Sequence, residues 1–174
     1  MGGLVHSRRF GLLAIALLVA AVFQSTLGSK LTLFSARPDL VLLLVVTYSV
    51  SRGGEEGLIG GLIGGLLVDL LSAIPFGTAT VGMGLIGLAT GLGEANIYRA
   101  NIVIPLVAVF LATVVYHSII MLTLQAVGWS VDWISTLALQ TVPSAVFNAV
   151  LAPLAFTMVK KIGPSEEGEE HMRW

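Results

Sequence analysis

The stretch from Gly57 to Leu71 reads G-L-I-G-G-L-I-G-G-L-L-V-D-L-L. Gly57, Gly61, Gly65 and Asp69 fall four apart, so on a helix they line one stripe. In lipid, a stripe of small residues lets a second backbone approach closely. A carboxylate turned toward acyl chains is costly, so Asp69 is expected to face protein. The spacing predicts a helix built to pack, either on a neighbour in the same chain or on a different chain.

The surroundings of this stretch set its solvent. The chain has 174 residues, of which 56% are hydrophobic and 11% charged, with a mean hydropathy of +0.94. Soluble domains carry about 25% charged residues, and no soluble core could absorb this much apolar surface. Six hydrophobic segments follow one another: Phe10 to Leu27, Pro38 to Ser51, Gly57 to Ala73, Phe76 to Gly93, Ile102 to Val127 and Trp133 to Val159. The fold class expected is an all-α integral membrane bundle of six transmembrane helices. Residues 1–162 would form one polytopic domain and 163–174 a disordered, acidic cytoplasmic tail. The second segment is short, about 21 Å at 1.5 Å per residue, so it either lies deep in the bundle or thins the bilayer locally.

Orientation follows from lysine and arginine. With an inside N-terminus and six crossings, Arg8, Arg9, Arg52, Arg99, Lys160, Lys161 and Arg173 lie inside, and only Lys30 and Arg37 outside. Seven against two places both termini in the cytoplasm. Trp129 and Trp133 then fall at the outer boundary, where indole rings prefer to sit. Without cysteine, disulfide and thiol chemistry are excluded. A net charge of −1 with no long basic run gives no sign of a nucleic-acid partner.

The polar residues inside the apolar segments are the candidates for function. Asp69 precedes the turn Ile74-Pro75-Phe76-Gly77, so its carboxylate can meet the unpaired N–H groups of the next helix; proton or cation carriage and a partner contact are the alternatives. Pro38 and Asp39 open the second segment as a helix start, or give an outer contact with Arg37. His117 and Thr113 share a face of the fifth segment. Gln140, Ser144 and Asn148 form a stripe on the sixth. These either hydrogen-bond across the interface or line a candidate polar pocket. Gly60 with Gly64, Gly61 with Gly65, and Gly87 with Gly91 match G-x-x-x-G. No metal-ligand spacing and no catalytic motif stands in the chain, so neither a cofactor nor an enzyme activity is expected. Glu55 and Glu56, with Arg52, read as a solvated cytoplasmic turn.

The run Arg37-Pro38-Asp39-Leu-Val-Leu-Leu-Leu-Val-Val-Thr-Tyr48, then Arg52-Gly-Gly, then Gly64-Gly-Leu-Leu-Val-Asp69, then Pro75-Phe-Gly77, resembles the rod shape-determining protein MreD family. The motifs cover Arg37 to Gly93, and the rest of the chain matches in hydropathy. The resemblance implies a non-enzymatic scaffold of the bacterial inner membrane within the cell-elongation machinery. Its partner would be MreC, and through it MreB, RodA and the class B penicillin-binding transpeptidase of peptidoglycan synthesis. It also implies a fold similar to the substrate-binding subunits of energy-coupling-factor transporters. Pro38, Asp39, Gly65 and Asp69 match the family pattern. The rival reading is a small-molecule-binding transporter subunit of that second kind.

Overall fold

The computed structural model describes the backbone of residues 2–27, 38–93 and 103–162, and side chains within 10–26, 38–93 and 103–159. The acidic tail from Gly163 and the positions of Lys30, Arg37, Arg99 and Arg173 lie outside the described residues. Seven helical pieces follow in order: α1 Gly2–Leu27, α2 Leu40–Arg52, α3 Gly54–Leu71, α4 Thr78–Gly91, α5 Val103–Ala126, α6 Trp133–Thr136 and α7 Val142–Ile162. A π turn over Leu137–Thr141 joins α6 to α7 in one continuous rod. Each of the six predicted segments therefore falls on one helix or rod. The boundaries differ slightly: α2 begins at Leu40, after Pro38, and α3 begins three residues before Gly57.

The short second segment lies deep in the bundle. Nine of the thirteen residues of α2 are buried: Val41, Leu42, Leu43, Val45, Val46, Thr47, Tyr48, Ser49 and Val50. Helices α1, α3, α4, α5 and α7 all pack on it. Around this axle α1 meets α3, α3 meets α4, α4 meets α5, and α5 meets α7. Protein on every side means that α2 has no need to reach across hydrocarbon on its own. Gly53, at φ 99°, turns the chain from α2 straight into α3, a conformation that L side chains rarely adopt.

Helices α3 and α4 form the closest pair, and the glycine stripe is the reason. A Cβ at Gly61 would fall on the Met83 carbonyl, one at Gly65 on the Ala79 carbonyl, and one at Gly57 on Ser49 and the Gly87 carbonyl. Gly87 and Gly91 answer from α4, against the Gly57 carbonyl and Gly53. The second stripe faces the other way: a Cβ at Gly60 would lie 3.3 Å from Leu13, and one at Gly64 3.0 Å from both Val41 and Val45. Both glycine faces of α3 are thus filled from within the chain.

The exterior is apolar. In α5 only 28% of the most apolar window is buried, and in the α6–α7 rod 33%. Leu111, Val115, Leu122, Val146, Val150 and Leu154 face outward, as do Ile15, Val19, Leu66 and Leu85. A soluble protein could not expose a continuous belt of this kind, and lipid is the solvent that fits it.

If backbone contact sets the α3–α4 pairing, Gly61→Ala and Gly65→Ala each cost about 1–3 kcal/mol by overpacking. Gly11→Ala, where a Cβ meets nothing within 4 Å, should be neutral or gain up to about 1 kcal/mol of helix propensity. Thermal unfolding in detergent tests this; equal midpoints for all three variants would refute the packing account.

Candidate functional site

A helix begins with N–H groups that have no partner in their own helix. Where no water reaches them, other side chains must accept those hydrogen bonds. At the start of α4, Asp69 does so from α3. Its Oδ2 accepts from the N–H of Gly77 at 3.0 Å and of Thr80 at 2.9 Å, and from the Thr80 hydroxyl at 2.6 Å. Its Oδ1 accepts from the N–H of Ala79 at 2.9 Å. The Thr78 N–H turns to the Pro75 carbonyl. The Pro75-Phe76-Gly77 turn makes this possible, because Gly77 adopts the left-handed conformation and aims the chain back at Asp69. Asp69 is 4% exposed.

The start of α2 is closed by side chains from two other helices. The N–H of Asp39 donates to Asn148 Oδ1 of α7 at 3.0 Å. The N–H groups of Leu40 and Val41 both donate to Gln24 Oε1 of α1, at 2.8 and 3.3 Å. The N–H of Leu42 donates to Asp39 Oδ1 at 3.0 Å, and the Gln24 amide donates to the same oxygen at 3.3 Å. Asn148 in turn donates from Nδ2 to the Thr113 hydroxyl of α5 at 3.1 Å. Pro38 precedes this N-cap, so it sits just outside the first helical turn.

The candidate polar pocket is partly assembled. Asn148 and Ser144 are buried, and His117 Nδ1 lies 3.3 Å from the Thr141 hydroxyl. Gln140 does not join them: it is exposed, and Thr141 occupies the inward place instead. The π turn accounts for the change, since its wider loop shifts the stripe by one residue. Side chains of the cluster are spent on one another and on backbone. A pocket does open at the far end of α2, lined by Phe10, Arg52, Gly53, Gly54, Glu55, Glu56 and Ile59. Glu56 is more than a solvated residue there, because the Tyr48 hydroxyl donates to it at 2.7 Å.

At the α5–α6 hairpin Asp132 caps α6, accepting from the Ser135 hydroxyl at 2.6 Å and the Ser135 N–H at 3.2 Å. The hydroxyl above all holds the Asp132 carboxyl below its ordinary range. Trp133 donates to Gln125 at 2.8 Å. Among the described residues no group of three or more His, Asp or Glu could hold a metal ion.

Sequence reasoning missed Gln24, Thr80 and Thr141. Gln24 left a signal, since an amide near the end of an apolar helix demands a partner. Its partners lie 15 to 17 residues further along the chain.

An apolar-surfaced helical bundle whose inner polar groups serve as helix caps and cross-helix bonds defines a transmembrane packing protein. The family model for the rod shape-determining protein MreD matches residues 7–162. The chain belongs to this family of shape-determining membrane proteins. No curated protein and no solved structure matches it.

The caps make a graded prediction. Asp69→Ala strips the acceptor from three N–H groups and one hydroxyl, and should cost at least about 2 kcal/mol. Asp69→Asn keeps one acceptor oxygen and should cost less. Thermal midpoints in detergent check the order; Asp69→Ala melting like the native chain would remove the capping role.

Proposed function

We propose that this protein is a non-enzymatic, multi-pass scaffold of the bacterial inner membrane that packs on MreC and so supports cell elongation. Family membership over residues 7–162 carries the proposal. The geometry supports it, because the buried carboxylates Asp39 and Asp69 are engaged as helix caps. MreB, RodA and the class B penicillin-binding transpeptidase would be reached through MreC. Both termini lie in the cytoplasm on this reading, which follows the lysine and arginine bias.

The surface offered to MreC is then not the stripe of Gly57, Gly61 and Gly65, which α4 occupies. A partner helix must use the outward aliphatic faces or the loops. The scaffold would act by rigidity: a bundle fixed at both helix starts presents an unchanging surface to its partner. The transporter-subunit alternative needs polar groups left over for a ligand. The internal bonding of Gln24, Asp39, Thr113 and Asn148 speaks for the scaffold instead.

Pull-down of the tagged chain from its native membrane should recover MreC, and recover RodA and the transpeptidase only when MreC is present. A chain inserted at its normal level that brings down none of them would refute the scaffold reading. Because the chain has no cysteine, single cysteines added at each end report topology directly. Neither should react with a membrane-impermeant maleimide until the cytoplasmic side is opened; reaction of one end in intact cells would overturn the six-crossing arrangement.

A further inference from the structure

The pocket at the α2–α3 turn measures about 340 Å³. Sites for small molecules begin at roughly 300 Å³. Arg52 of α2 and Glu55 and Glu56 of α3 bring charge of both signs to it, while Phe10 of α1 and Ile59 of α3 supply its apolar side. The caps and cross-helix bonds at the starts of α2 and α4 make no use of it.

The charges in this pocket stop short of one another. The Tyr48 hydroxyl holds the Glu56 carboxylate at 2.7 Å. Among the described residues the Arg52 side chain makes no ion pair or hydrogen bond, and neither does that of Glu55. Arg52 is half-buried and Glu55 exposed. A cation and an anion that line one cavity without meeting are complementary to a ligand that carries both signs.

The pocket stands at the level of lipid headgroups. Over its 18 residues α3 rises about 27 Å, close to the ~30 Å of hydrocarbon in a bilayer, so its first turn marks one boundary. From the pocket, Ile59, Ile63, Leu66 and Leu70 follow at intervals of four, three and four residues, which keeps them on one face of α3. Ile59, Leu66 and Leu70 are 42%, 43% and 64% exposed, and Ile63 is half-buried. The two glycine stripes lie on other faces, against α4 and against α1 and α2. The apolar row therefore begins in the charged pocket and runs from it across the hydrocarbon.

We propose that this pocket holds the headgroup of an ethanolamine phospholipid, with an acyl chain laid along the row from Ile59 to Leu70. The Arg52 guanidinium takes the phosphate, whose oxygens match its fork of N–H donors. Glu55 accepts from the primary ammonium. Charge sets the selectivity: one guanidinium stands against two carboxylates, so a headgroup with a phosphate alone meets repulsion, and one that brings its own ammonium does not. A trimethylated ammonium has no N–H to give Glu55. The apolar row leading out of the pocket favours a lipid over a soluble zwitterion. The site is independent of the scaffold reading, because it requires only this chain and a bilayer.

The test uses the full chain, purified in detergent and stripped of lipid. Ethanolamine and glycerol phospholipids with matched acyl chains are added, and native mass spectrometry counts what binds. One ethanolamine lipid should bind about tenfold more tightly than the glycerol lipid, the scale of one charge-assisted hydrogen bond. Arg52→Gln should weaken ethanolamine-lipid binding by about the same factor, and Glu55→Gln should erase the preference between headgroups. The lipid-free melting midpoint should stay native in both. Asp132→Asn, in the α5–α6 hairpin, should bind as the native chain does. A photoactivatable ethanolamine lipid should label the α3 peptide that holds Ile59 and Leu66. Glycerophosphoethanolamine, the same headgroup without acyl chains, should not displace the lipid. Equal binding of the two headgroups by the native chain, or native binding by Arg52→Gln, overturns the proposal. So does labelling confined to other helices, and so does displacement by the soluble headgroup, which would give the pocket to a small zwitterion.

Discussion

A helix that starts where water cannot follow must borrow acceptors from elsewhere, and the rest of this structure is arranged around that need. The first N–H groups of α2 are taken by Gln24, Asp39 and Asn148, and those of α4 by Asp69 and the Pro75 carbonyl. The donors and acceptors come from helices far apart in the chain; Asp39 and Asn148 are separated by 109 residues. One cap therefore fixes the relative positions of α1, α2 and α7, and Thr113 extends the bond to α5.

The same need explains where the acids are. Every described acid stands at a helix start: Asp39 on α2, Glu55 and Glu56 on α3, Asp69 against α4, Asp132 on α6. At such sites a negative charge meets the positive end of the helix dipole. The oxygens of Asp69 and the inner oxygen of Asp39 are already occupied as hydrogen-bond acceptors. That is why the buried acids argue for architecture here, whereas an intramembrane acid in isolation would suggest transport.

Much of this was legible in the sequence, and the failures share a cause. Six apolar segments, the four-residue rhythm of Gly57, Gly61, Gly65 and Asp69, and the Pro75-Phe76-Gly77 turn are local patterns, and local patterns survive without coordinates. Whether the stripe faced its own chain or another was not legible, because spacing says that a backbone approaches but not whose. Ser49 and the Gly87 carbonyl supply that answer, one from α2 and the other from α4. The stripe of Gln140, Ser144 and Asn148 failed for a different reason. A four-residue spacing assumes an unbroken α-helix, and the π turn before Pro143 inserts a wider loop. Proline at that position was visible, yet it announces a kink without giving the register that follows.

The arrangement of α2 bears on how stiff a member of this shape-determining family is. An axle wrapped by five helices and tied to two of them at its first turn has few ways to deform. The α3–α4 pair adds backbone-to-backbone contact, in which no side chain can swing aside to let the helices slide. Cores packed in this way pass a push from one face to another instead of absorbing it. A load applied to α1 or α7 would reach the start of α2 through Gln24 or Asn148, and from there α5 through Thr113. Stiffness of that kind is what a protein needs if its role is to hold other membrane proteins in a fixed relation.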